Sequence, residues 1–474
     1  MISWLTDTAM LERIDTVKAD FANAHVAVYG IGVAGRAMAE FLIRRGARVT
    51  LVDGNSVELP VTLAASERVA HKFGSVPADV FDDVDMLAIS PGIDPRKPEI
   101  MHARKSGVPV VGELELCAPF PGIVGAVTGT NGKSTTTALL GVLASARGAR
   151  TFAGGNLGTP IGTWVHLRPT QVAALELSSY QLETAYRFAP RAAIVLNVTP
   201  DHTERYDDFA GYAAAKAHIV ENLSSHDTAV LNADDDAVTK MASRTQGRVF
   251  WFSTRGELSE KHPHGAWLEG DTMRAKGNAA VLDGLDLTHD RLFGRHNREN
   301  AIAAFLAVVG LELMEQSTRG DFHKAYRAFK GLEHRLELVA EIKGVRYVND
   351  SKATNDDSAA IAVAAMDRPV VLLAGGVDKG GGYARLVEAA ANKARLVIAY
   401  GEAQPKIAAA FEDYRGLVLE PTMKSAFAYA AENAKPGEVV LLAPACSSFD
   451  EFKNYSHRGK TFKEYVQQLQ GGVS

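Results

Sequence analysis

The stretch that decides the fold is Val124-Gly-Ala-Val-Thr-Gly-Thr-Asn-Gly-Lys-Ser-Thr135, a short apolar run that breaks into a glycine-rich loop. A strand that turns through glycines into a helix aims several backbone N–H groups at one point. Such a nest, with Lys133 and Ser134 beside it, suits a triphosphate and its Mg²⁺. The usual phosphate-loop pattern has a glycine five places before Gly132, where this chain has Val127. The loop is a variant of that pattern, and it predicts a nucleotide-binding α/β domain.

Length and composition limit the classes of protein to which the chain can belong. The chain has 474 residues, which favours several domains at roughly 150 residues each. Its 51 basic and 56 acidic residues give a net charge of −5, which argues against a large nucleic-acid-binding surface. The only cysteines are Cys117 and Cys446, so no disulfide framework is implied. The amino terminus lacks the features of a signal peptide, and no apolar run approaches the ~20 residues that span a bilayer. We therefore expect a soluble, cytoplasmic, monomeric protein without a nucleic-acid or membrane partner.

A second glycine-rich turn lies near the amino terminus. Gly30-Ile-Gly32-Val-Ala-Gly35 follows the apolar run Val26–Tyr29, and Asp53 follows the next run, Val49–Val52. This spacing is the dinucleotide-type fingerprint, in which the acidic residue meets a ribose hydroxyl or a base edge. The fingerprint alone does not identify the nucleotide. Two interpretations of this motif remain open here. The chain is a nicotinamide-dependent dehydrogenase, or the glycines only serve the tight turns of a doubly wound domain.

The middle of the chain continues as alternating strands and helices. A Pro/Gly-rich stretch, Pro119-Phe-Pro-Gly122, is typical of a linker, and Val172–Glu176 and Ala192–Asn197 are typical of buried parallel strands. Ligands of open α/β sheets gather at the carboxyl ends of the strands. We therefore expect these strand ends, with Asp201-His202, to lie near the phosphate loop.

Three residues of this region are ambiguous from the residues alone. Glu176 ends a strand, where its carboxylate is either a Mg²⁺ ligand or simply solvated. His202 is a lone loop histidine, for which a structural or solvent-facing position is equally plausible. Lys216 lies among alanines in Tyr212–Ile219, and the residues alone favour a solvated helix lysine.

The last part of the chain predicts a third α/β unit. Its strands are Val345–Val348, Pro369–Ala374, Leu396–Tyr400 and Val439–Ala443, with helical stretches between them. Polar loops follow three of the strands, at Asn349–Asn355, Ala374–Gly380 and Ala443–Tyr455. Each loop carries basic or hydroxyl groups, so together they predict a site for an anionic substrate. The fold prediction is three consecutive α/β domains: a Rossmann-like domain at 1–118, a P-loop-type ATPase domain at 119–330 and a second Rossmann-like domain at 331–474.

At this point the whole chain resembles the Mur ligases of peptidoglycan synthesis. The resemblance rests on the three carboxyl-terminal loops and on Thr128–Ser134, Leu175–Glu183, Asn197–His202 and Gly294–Asn300. The phosphate loop is shared with folylpolyglutamate synthases, whereas Asp350–Asn355 and Pro444–Phe449 are more discriminating. The valine at position 127 also matches the phosphate-loop motif of this family.

The resemblance implies an ATP-dependent ligase that adds D-glutamate to UDP-N-acetylmuramoyl-L-alanine through an acyl phosphate. It also implies two Mg²⁺ ions and a carbamate on Lys216. The catalytic residues would be Lys133, His202, Lys216 and Lys352, and the metal ligands Ser134, Glu176, His202 and Lys216. ATP would contact Gly129, Thr130, Asn131, Gly132, Lys133, Ser134, Thr135, Asn297, Asn300, Arg335 and Asp350, with His334 nearby.

The two other substrates would lie at separate sets of residues. The resemblance implies that the UDP-sugar contacts Gly32, Asp53, Ser90, Gly92, Asn156 and Gln181. Glutamate would contact Thr354, Lys379, Ser448 and Tyr455. The chain departs from the usual pattern at Thr203-Glu204, where Leu-Asp is more usual, at Ser447, where Ala is common, and at Tyr455, where Phe can occur. None of these departures removes a charged group from the expected chemistry, although Tyr455 could alter the fit around the amino acid.

Several alternatives remain beside this interpretation. Another Mur-type ligase would share most of these motifs, although the Asp350–Asn355 loop disfavours one that adds lysine or diaminopimelate. A folylpolyglutamate-type ligase would not explain the additional first domain. A nicotinamide-dependent dehydrogenase leaves Lys133 and Ser134 unexplained. A regulatory protein that binds nucleotide without ligase chemistry would release no phosphate.

Overall fold

A computed structural model describes residues 8–166, 170–201 and 205–471. The chain forms two compact units. The first contains the residues up to Asp286 together with Glu299–Arg327, and the second contains Leu287–Arg298 and the chain from Ala328 onwards. Three β-sheets occur in the described residues, two in the first unit and one in the second. No helix in the described ranges has the length and apolarity needed to cross a membrane.

The first sheet is parallel and follows the strand order β3-β2-β1-β4-β5. Its strands are β1 (His25–Tyr29), β2 (Arg48–Asp53), β3 (Val69–Phe73), β4 (Met86–Ile89) and β5 (Val110–Val111). Its helices are α1 (Thr8–Ala19), α2 (Val33–Arg44), α3 (Val61–Ala64), α4 (Pro98–Lys105) and α5 (Glu113–Cys117). The apolar strands β1 and β4 lie at the centre and are almost completely buried, as expected for a sheet that is covered by helices.

The second sheet has nine strands in the order β14-β13-β12-β11-β10-β9-β6-β8-β7. These are β6 (Ile123–Thr128), β7 (Thr151–Gly155), β8 (Val172–Glu176), β9 (Ala192–Val195), β10 (Thr228–Asn232), β11 (Arg248–Ser253), β12 (Gly265–Glu269), β13 (Thr272–Lys276) and β14 (Leu285–Asp286). The six strands β6 to β11, with β12, pair in parallel, and β13 and β14 extend the edge as antiparallel strands. The phosphate loop therefore leaves the sheet between its neighbours β8 and β9.

The helices of this region connect the strands and begin at recognisable caps. They are α6 (Lys133–Ala144), α7 (Ile161–Trp164), α8 (Ser179–Leu182), α9 (Phe209–Glu221), α10 (Asp236–Thr239), α11 (Arg295–Gly310) and α12 (Arg319–Ala328). The side chain of Asp208 accepts the N–H of Gly211 at the start of α9. Ser178 and Gln181 form a capping box at the start of α8. These caps fix the two helices that carry Lys216 and Gln181.

The sheet of the second unit has the order β15-β16-β20-β17-β18-β19. Its strands are β15 (Glu337–Ile342), β16 (Val345–Asn349), β17 (Val370–Gly375), β18 (Ala394–Tyr400), β19 (Leu417–Leu419) and β20 (Val439–Ala445). Its helices are α13 (Asp356–Ala364), α14 (Ala384–Lys393), α15 (Gln404–Ala410), α16 (Met423–Asn433) and α17 (Tyr455–Gly471). The three polar loops predicted from the sequence follow β16, β20 and β17, which are neighbours in the sheet.

The predicted α/β class and its principal strands are confirmed. The domain boundaries at 118/119 and 330/331 stay a prediction. The second compact unit also includes 287–298, a segment that precedes the predicted start of the last domain.

Candidate active site

The phosphate loop is built on two glycines with positive φ. It connects β6 to α6, with φ of 150° at Gly129 and 83° at Gly132. A Cβ at Gly132 would lie 2.3 Å from Oδ1 of Asn300. Glycine is therefore required at this position both for the backbone conformation and for the close approach of α11.

Asn197 holds the tip of the loop in place. Its Oδ1 accepts the N–H of Asn131 at 2.8 Å, and its backbone carbonyl accepts the N–H of Thr130 at 2.9 Å. The hydroxyl of Thr130 contacts the Tyr212 hydroxyl at 3.2 Å and accepts the N–H of Thr199 at 3.0 Å. The end of β9 and the helix α9 therefore fix the loop from two sides.

The first turn of α6 presents the polar residues of the motif. Nζ of Lys133 donates to the carbonyls of Gly129 and Thr130, both at 2.8 Å. Ser134 is buried and Thr135 half-buried at the same helix terminus. The positive end of the helix dipole and the lysine thus favour an anion at this point.

Lys216 is not the solvated lysine that its neighbours in sequence favour. Its side chain is 1% exposed, its Nζ donates to the carbonyl of Gly129 at 2.9 Å, and it lies 4.5 Å from the ring centroid of Tyr212. Burial, and next the positive charge of Lys133, lower the pKa of the Lys216 amine well below its ordinary value. An amine that loses its proton more readily than that of an ordinary lysine therefore lies at the phosphate loop.

Glu176 is buried rather than solvated. Its Oε1 accepts the amide N–H of Asn156 at 2.7 Å, whereas its Oε2 is buried and has no hydrogen-bond partner. A buried acceptor without a donor is costly, and a bound cation or donor would relieve that cost. Asn156 thus lies against this carboxylate, next to the phosphate loop.

These residues fit a magnesium site only if Lys216 supplies oxygen atoms. Within 8–166, 170–201 and 205–471, no group of three or more His, Cys, Asp or Glu side chains is suited to a metal ion. Glu176 and the hydroxyl of Ser134 are hard oxygen donors of the kind that Mg²⁺ prefers. His202, the predicted second-metal ligand, lies outside the described residues.

Two asparagines of α11 belong to different compact units. In the first unit, Oδ1 of Asn300 accepts the hydroxyl of Thr136 at 3.2 Å. In the second, the side chain of Asn297 donates to the carbonyl of Phe293 at 2.7 Å. Both side chains are buried. Their predicted place near the adenine stays a prediction.

In the first sheet, the polar side chains that were predicted to bind UDP form hydrogen bonds with the turns of the same sheet. Asp53 accepts the N–H groups of Ile31 at 2.8 Å and Asn55 at 2.9 Å. The hydroxyl of Ser90 donates to the carbonyl of Gly30 at 2.5 Å. Gly32 caps α2, and a Cβ at Gly92 would meet no atom within 4 Å. The turns are firmly built, and open space remains beside Gly32 and Gly92.

Gln181 contacts a buried acid that sequence reasoning missed. Its Oε1 accepts the N–H of Ser178 at 3.0 Å, and its side chain is also hydrogen-bonded to Glu113. Glu113 is 3% exposed and accepts the N–H of Gly162 at 2.9 Å. Burial raises the pKa of Glu113 to about 7, against the effect of these hydrogen bonds. No motif pointed to Glu113, because its partners come from distant segments.

In the second unit, the loop after β16 carries a buried acid and a half-buried base. Burial raises the pKa of Asp350 to about 7, although the charge of Arg335 opposes the shift. Nζ of Lys352 lies 3.5 Å from the Tyr455 hydroxyl and 5.0 Å from the centroid of its ring. Burial lowers the pKa of His334, whose ring contacts Asn349 at 3.0 Å. The buried Asp350 and the half-buried Lys352 thus lie two residues apart in one loop.

Of the four predicted glutamate residues, two contact each other, one contacts Lys352 and one is a buried serine. Nζ of Lys379 donates to the hydroxyl of Thr354 at 3.2 Å, and Tyr455 contacts Lys352. Ser448 is 2% exposed in the loop after β20. The structure therefore gathers hydroxyl and ammonium groups at the carboxyl ends of β16, β17 and β20, where α/β sheets bind ligands.

Models of three protein families match successive parts of the chain. A MurD-like amino-terminal domain of Mur ligases matches 24–112, the Mur ligase middle domain matches 127–308, and the glutamate ligase domain of Mur ligases matches 334–446. The chain belongs to the Mur ligase family. The three matches cover each of the sheets of this Mur ligase, and they favour the ligase interpretation over a nicotinamide-dependent dehydrogenase.

Curated relatives match nearly the whole length. A UDP-N-acetylmuramoylalanine–D-glutamate ligase of Koribacter versatilis is 40% identical over 458 residues, which cover 95% of this chain and 98% of the relative. A ligase of the same name from Anaeromyxobacter dehalogenans is 41% identical over 466 residues, 94% of this chain and 97% of the relative. The similarity therefore extends through all three sheets.

Solved structures share the fold at low sequence identity. MurF ligase of Thermotoga maritima, in complex with ADP, has a TM-score of 0.57 at 18% identity and covers 94% of this chain and 95% of its own. UDP-N-acetylmuramate-alanine ligase MurC from the same organism has a TM-score of 0.54 at 17% identity and covers 94% of this chain and 100% of its own. The fold of this Mur ligase is thus the fold of its family.

Proposed function

We propose that this chain joins D-glutamate to UDP-N-acetylmuramoyl-L-alanine through an amide bond, with ATP as the energy source. The observation that carries the proposal is the similarity, at about 40% identity over about 95% of the chain, to ligases named for this substrate and amino acid. The construction of the phosphate loop supports the use of ATP. The reaction belongs to the cytoplasm, as the cysteine usage of the sequence leads us to expect.

The reaction proceeds in two steps. The L-alanyl carboxylate attacks the γ-phosphorus of ATP, ADP leaves, and an acyl phosphate forms. The amine of glutamate then attacks the acyl carbon, and the tetrahedral intermediate expels phosphate and leaves the amide. Positioning and charge compensation account for most of the catalysis in phosphoryl transfer.

The loop residues hold the phosphates and compensate their charge. The backbone N–H groups of Gly132 and of the terminus of α6 bind the phosphate oxygens. Nζ of Lys133 exchanges the carbonyls of Gly129 and Thr130 for the β- and γ-phosphates. That exchange is favourable because a charged acceptor forms a stronger hydrogen bond than a carbonyl.

Ser134, Glu176, the carbamate of Lys216 and His202 would hold two magnesium ions. Bound Mg²⁺ supplies a Lewis acid that neutralises charge on the γ-phosphate. The Lys216 amine would react with CO₂ to form an N–C bond and release a proton, which requires a neutral amine. The low pKa that burial and Lys133 give this amine supports the modification. The orphan Oε2 of Glu176 supports a cation beside it.

The remaining roles follow the same assignment. Asn297, Asn300, Arg335 and Asp350 bind the nucleoside part of ATP, and Lys352 stabilises charge during transfer. Thr354, Lys379, Ser448 and Tyr455 bind glutamate, and the contact between Thr354 and Lys379 supports that grouping. Gly32, Asp53, Ser90, Gly92, Asn156 and Gln181 bind the UDP-sugar. These roles divide among domains at 1–118, 119–330 and 331–474.

Phosphate release tests the proposal directly. The purified chain is given ATP, Mg²⁺ and UDP-N-acetylmuramoyl-L-alanine with D-glutamate, L-glutamate, meso-diaminopimelate, L-lysine or D-alanine in turn. We expect release with D-glutamate alone, and an amide product by mass spectrometry. The control substrate, UDP-N-acetylmuramate without alanine, should support none. Equal release with L-glutamate, or release with diaminopimelate only, would show that the assignment is wrong.

A further inference from the structure

Arg458 is a completely buried arginine in the first turn of α17. Its exposed fraction is 0%, and its backbone N–H bonds to the carbonyl of Asn454 at 3.1 Å. The sequence gives no sign of this burial, because Tyr455–Lys460 is polar and typical of a solvated helix start. Burial of a charged group is unfavourable unless its hydrogen bonds are satisfied.

The five N–H donors of the guanidinium all find acceptors. Nε donates to the hydroxyl of Ser351 at 3.0 Å, and Nη2 donates to the carbonyls of Ser351 at 2.9 Å and Cys446 at 3.1 Å. Nη1 donates to the carbonyls of Gly375 and Ser447, both at 3.3 Å. One side chain therefore connects the ends of β16, β17 and β20, where the three polar loops begin.

The surrounding backbone is shaped to admit the guanidinium. Gly376 has a φ of 127°, and a Cβ there would lie 2.0 Å from the carbonyl oxygen of Ser447 and 3.1 Å from Nη1 of Arg458. Val377 and Ser447 exchange two backbone hydrogen bonds, at 2.9 and 3.0 Å, across the same gap. The loops after β17 and β20 are thus joined to each other directly and through Arg458.

Among the described residues, the Arg458 guanidinium donates to no carboxylate. All five acceptors are uncharged, and no ion pair involves this guanidinium in 8–166, 170–201 and 205–471. The carboxylate of Glu451 is near enough to interact electrostatically, but it accepts the backbone N–H of Met423 at 3.0 Å. A positive charge held beneath three strand ends favours an anion at the surface they form.

We infer that Arg458 is a positioning residue for the amino-acid substrate: it fixes the three polar loops relative to one another and favours an anionic amino acid there through its charge. This inference rests on the proposed function, because that function assigns a dicarboxylic amino acid to Thr354, Lys379 and Ser448. Arg458 acts through the loops and does not itself contact the substrate.

The test compares Arg458→Met, which removes the charge at similar length, with Arg458→Lys, which keeps it. The KM values for D-glutamate and for ATP are measured for each. We expect Arg458→Met to raise the KM for D-glutamate about 10-fold or more and the KM for ATP less than about 3-fold, because the lost charge and hydrogen bonds hold the loops that carry the proposed glutamate residues. Arg458→Lys should recover at least about half of that effect on a logarithmic scale.

The matched control is Arg346→Met, at the opposite end of β16. Arg346 pairs with Glu341 and Asp367, each at 3.1 Å, and contacts none of the three loops. This variant should leave both KM values within about 2-fold of those of the unchanged chain. Far-UV circular dichroism confirms that each variant is folded.

Two outcomes would overturn the inference: a folded Arg458→Met variant whose KM for D-glutamate stays within about 3-fold, or one in which both KM values rise equally. If Arg458→Met does not fold, Ser351→Ala replaces it; this variant removes the acceptor of Nε and the hydrogen bond from the Ser351 hydroxyl to the carbonyl of Tyr455. A KM for D-glutamate raised about 3-fold supports the inference, and an unchanged KM overturns it. Absence of D-glutamate-dependent phosphate release by the unchanged chain would instead refute the proposed function.

Discussion

At the scale of single residues, two buried ionisable groups in the first unit have strongly shifted pKa values. Lys216 is surrounded by Tyr212, Lys133 and the carbonyl of Gly129, and burial lowers the pKa of its amine. Glu113 lies between α7 and α8, and burial raises its pKa to about 7. Strong shifts of this kind cluster at functional sites.

Replacement of Lys216 by alanine tests the carbamate. We expect kcat to fall by about 100-fold or more, the loss typical when a charge-stabilising group is removed from a transition state. Because a short carboxylate can enter the space of the lost side chain, acetate or formate should restore part of the activity. Phosphate release measures both effects, and ethylammonium chloride is the control additive. Rescue by ethylammonium but not by acetate would contradict a carbamate and favour an amine.

Glu113 predicts a pH dependence of stability. Its pKa is about 7 in the fold and near the ordinary 4.5 in the unfolded chain, so the unfolded chain loses the proton first. The contribution of Glu113 to the free energy of unfolding therefore decreases from about pH 4.5 to about pH 7 and is constant above that range. The shift corresponds to up to about 3 kcal/mol.

Urea unfolding of Glu113→Gln measures this dependence. The stability of the variant relative to the unchanged chain should rise by up to about 3 kcal/mol between about pH 5 and pH 7.5, because glutamine does not titrate. Glu12→Gln, at an exposed position of α1, is the control and should show no such rise. A difference between Glu113→Gln and the unchanged chain that is constant with pH would refute the assignment.

The sequence predicted most residues of the phosphate loop, but it did not predict the protonation of the groups around it. Lys133, Ser134 and Asn197 come from contiguous motifs whose spacing implies the nest. Glu113 and Arg458 could not be found in this way, because their partners lie 49 and up to 107 residues away in sequence. The burial of Lys216 depends on how α9 packs, which its run of alanines permits but does not specify.

At the scale of elements, the last residue of β20 has a strained backbone. Ala445 has a φ of 58°, in the left-handed region, and its N–H donates to the carbonyl of Ala353 at 2.9 Å. A non-glycine residue in this region loses roughly 1–2 kcal/mol. The neighbouring contacts with the β16 and β17 loops hold this conformation, as strained positions at functional sites usually require.

Two alanine-to-glycine substitutions measure that strain. Ala445→Gly relieves the backbone but removes a buried methyl group, so we expect a stability change near zero, within about 0.5 kcal/mol. Ala443→Gly, two residues earlier in β20, removes a methyl group that is 0% exposed without relieving strain and should lose about 1–2 kcal/mol. Far-UV circular dichroism in urea measures both. Equal losses would mean that Ala445 is not strained.

The strands that the sequence predicted are the central ones. β1, β8, β9, β17 and β20 are continuous apolar runs because helices cover both faces of their sheets. Strand β3 has three exposed residues out of five, and β13 and β14 form an antiparallel edge. Such strands have no apolar periodicity that separates them from loops, so the sequence did not predict them.

At the scale of the whole molecule, the chain path between the units is more complex than the predicted order. Residues 287–298 belong to the second unit and Glu299–Arg327 to the first, so the chain crosses between units more than once. The order of motifs along the chain predicted three domains. It could not assign 287–298 to the second unit, because the contacts of these residues in the fold, and not their composition, place them there.

Two compact units predict two unfolding transitions. All four tryptophans, Trp4, Trp164, Trp251 and Trp267, precede residue 287, so tryptophan fluorescence follows the first unit while circular dichroism follows both. We expect different urea midpoints for the two signals. An ATP analogue at 100 times its dissociation constant should stabilise the fluorescence transition by about 2.7 kcal/mol. Coincident midpoints with and without the analogue would contradict independent unfolding of the units.

The unsatisfied Oε2 of Glu176 has a consequence for inhibitor chemistry. A compound that places an amide N–H or an amidine there would pair an acceptor that the protein itself leaves unpaired. Because that oxygen is buried without a donor, the new bond would relieve the cost of an unsatisfied acceptor. Selective inhibitors of this enzyme would therefore carry a donor toward Glu176 in addition to the acceptors that the phosphate loop attracts.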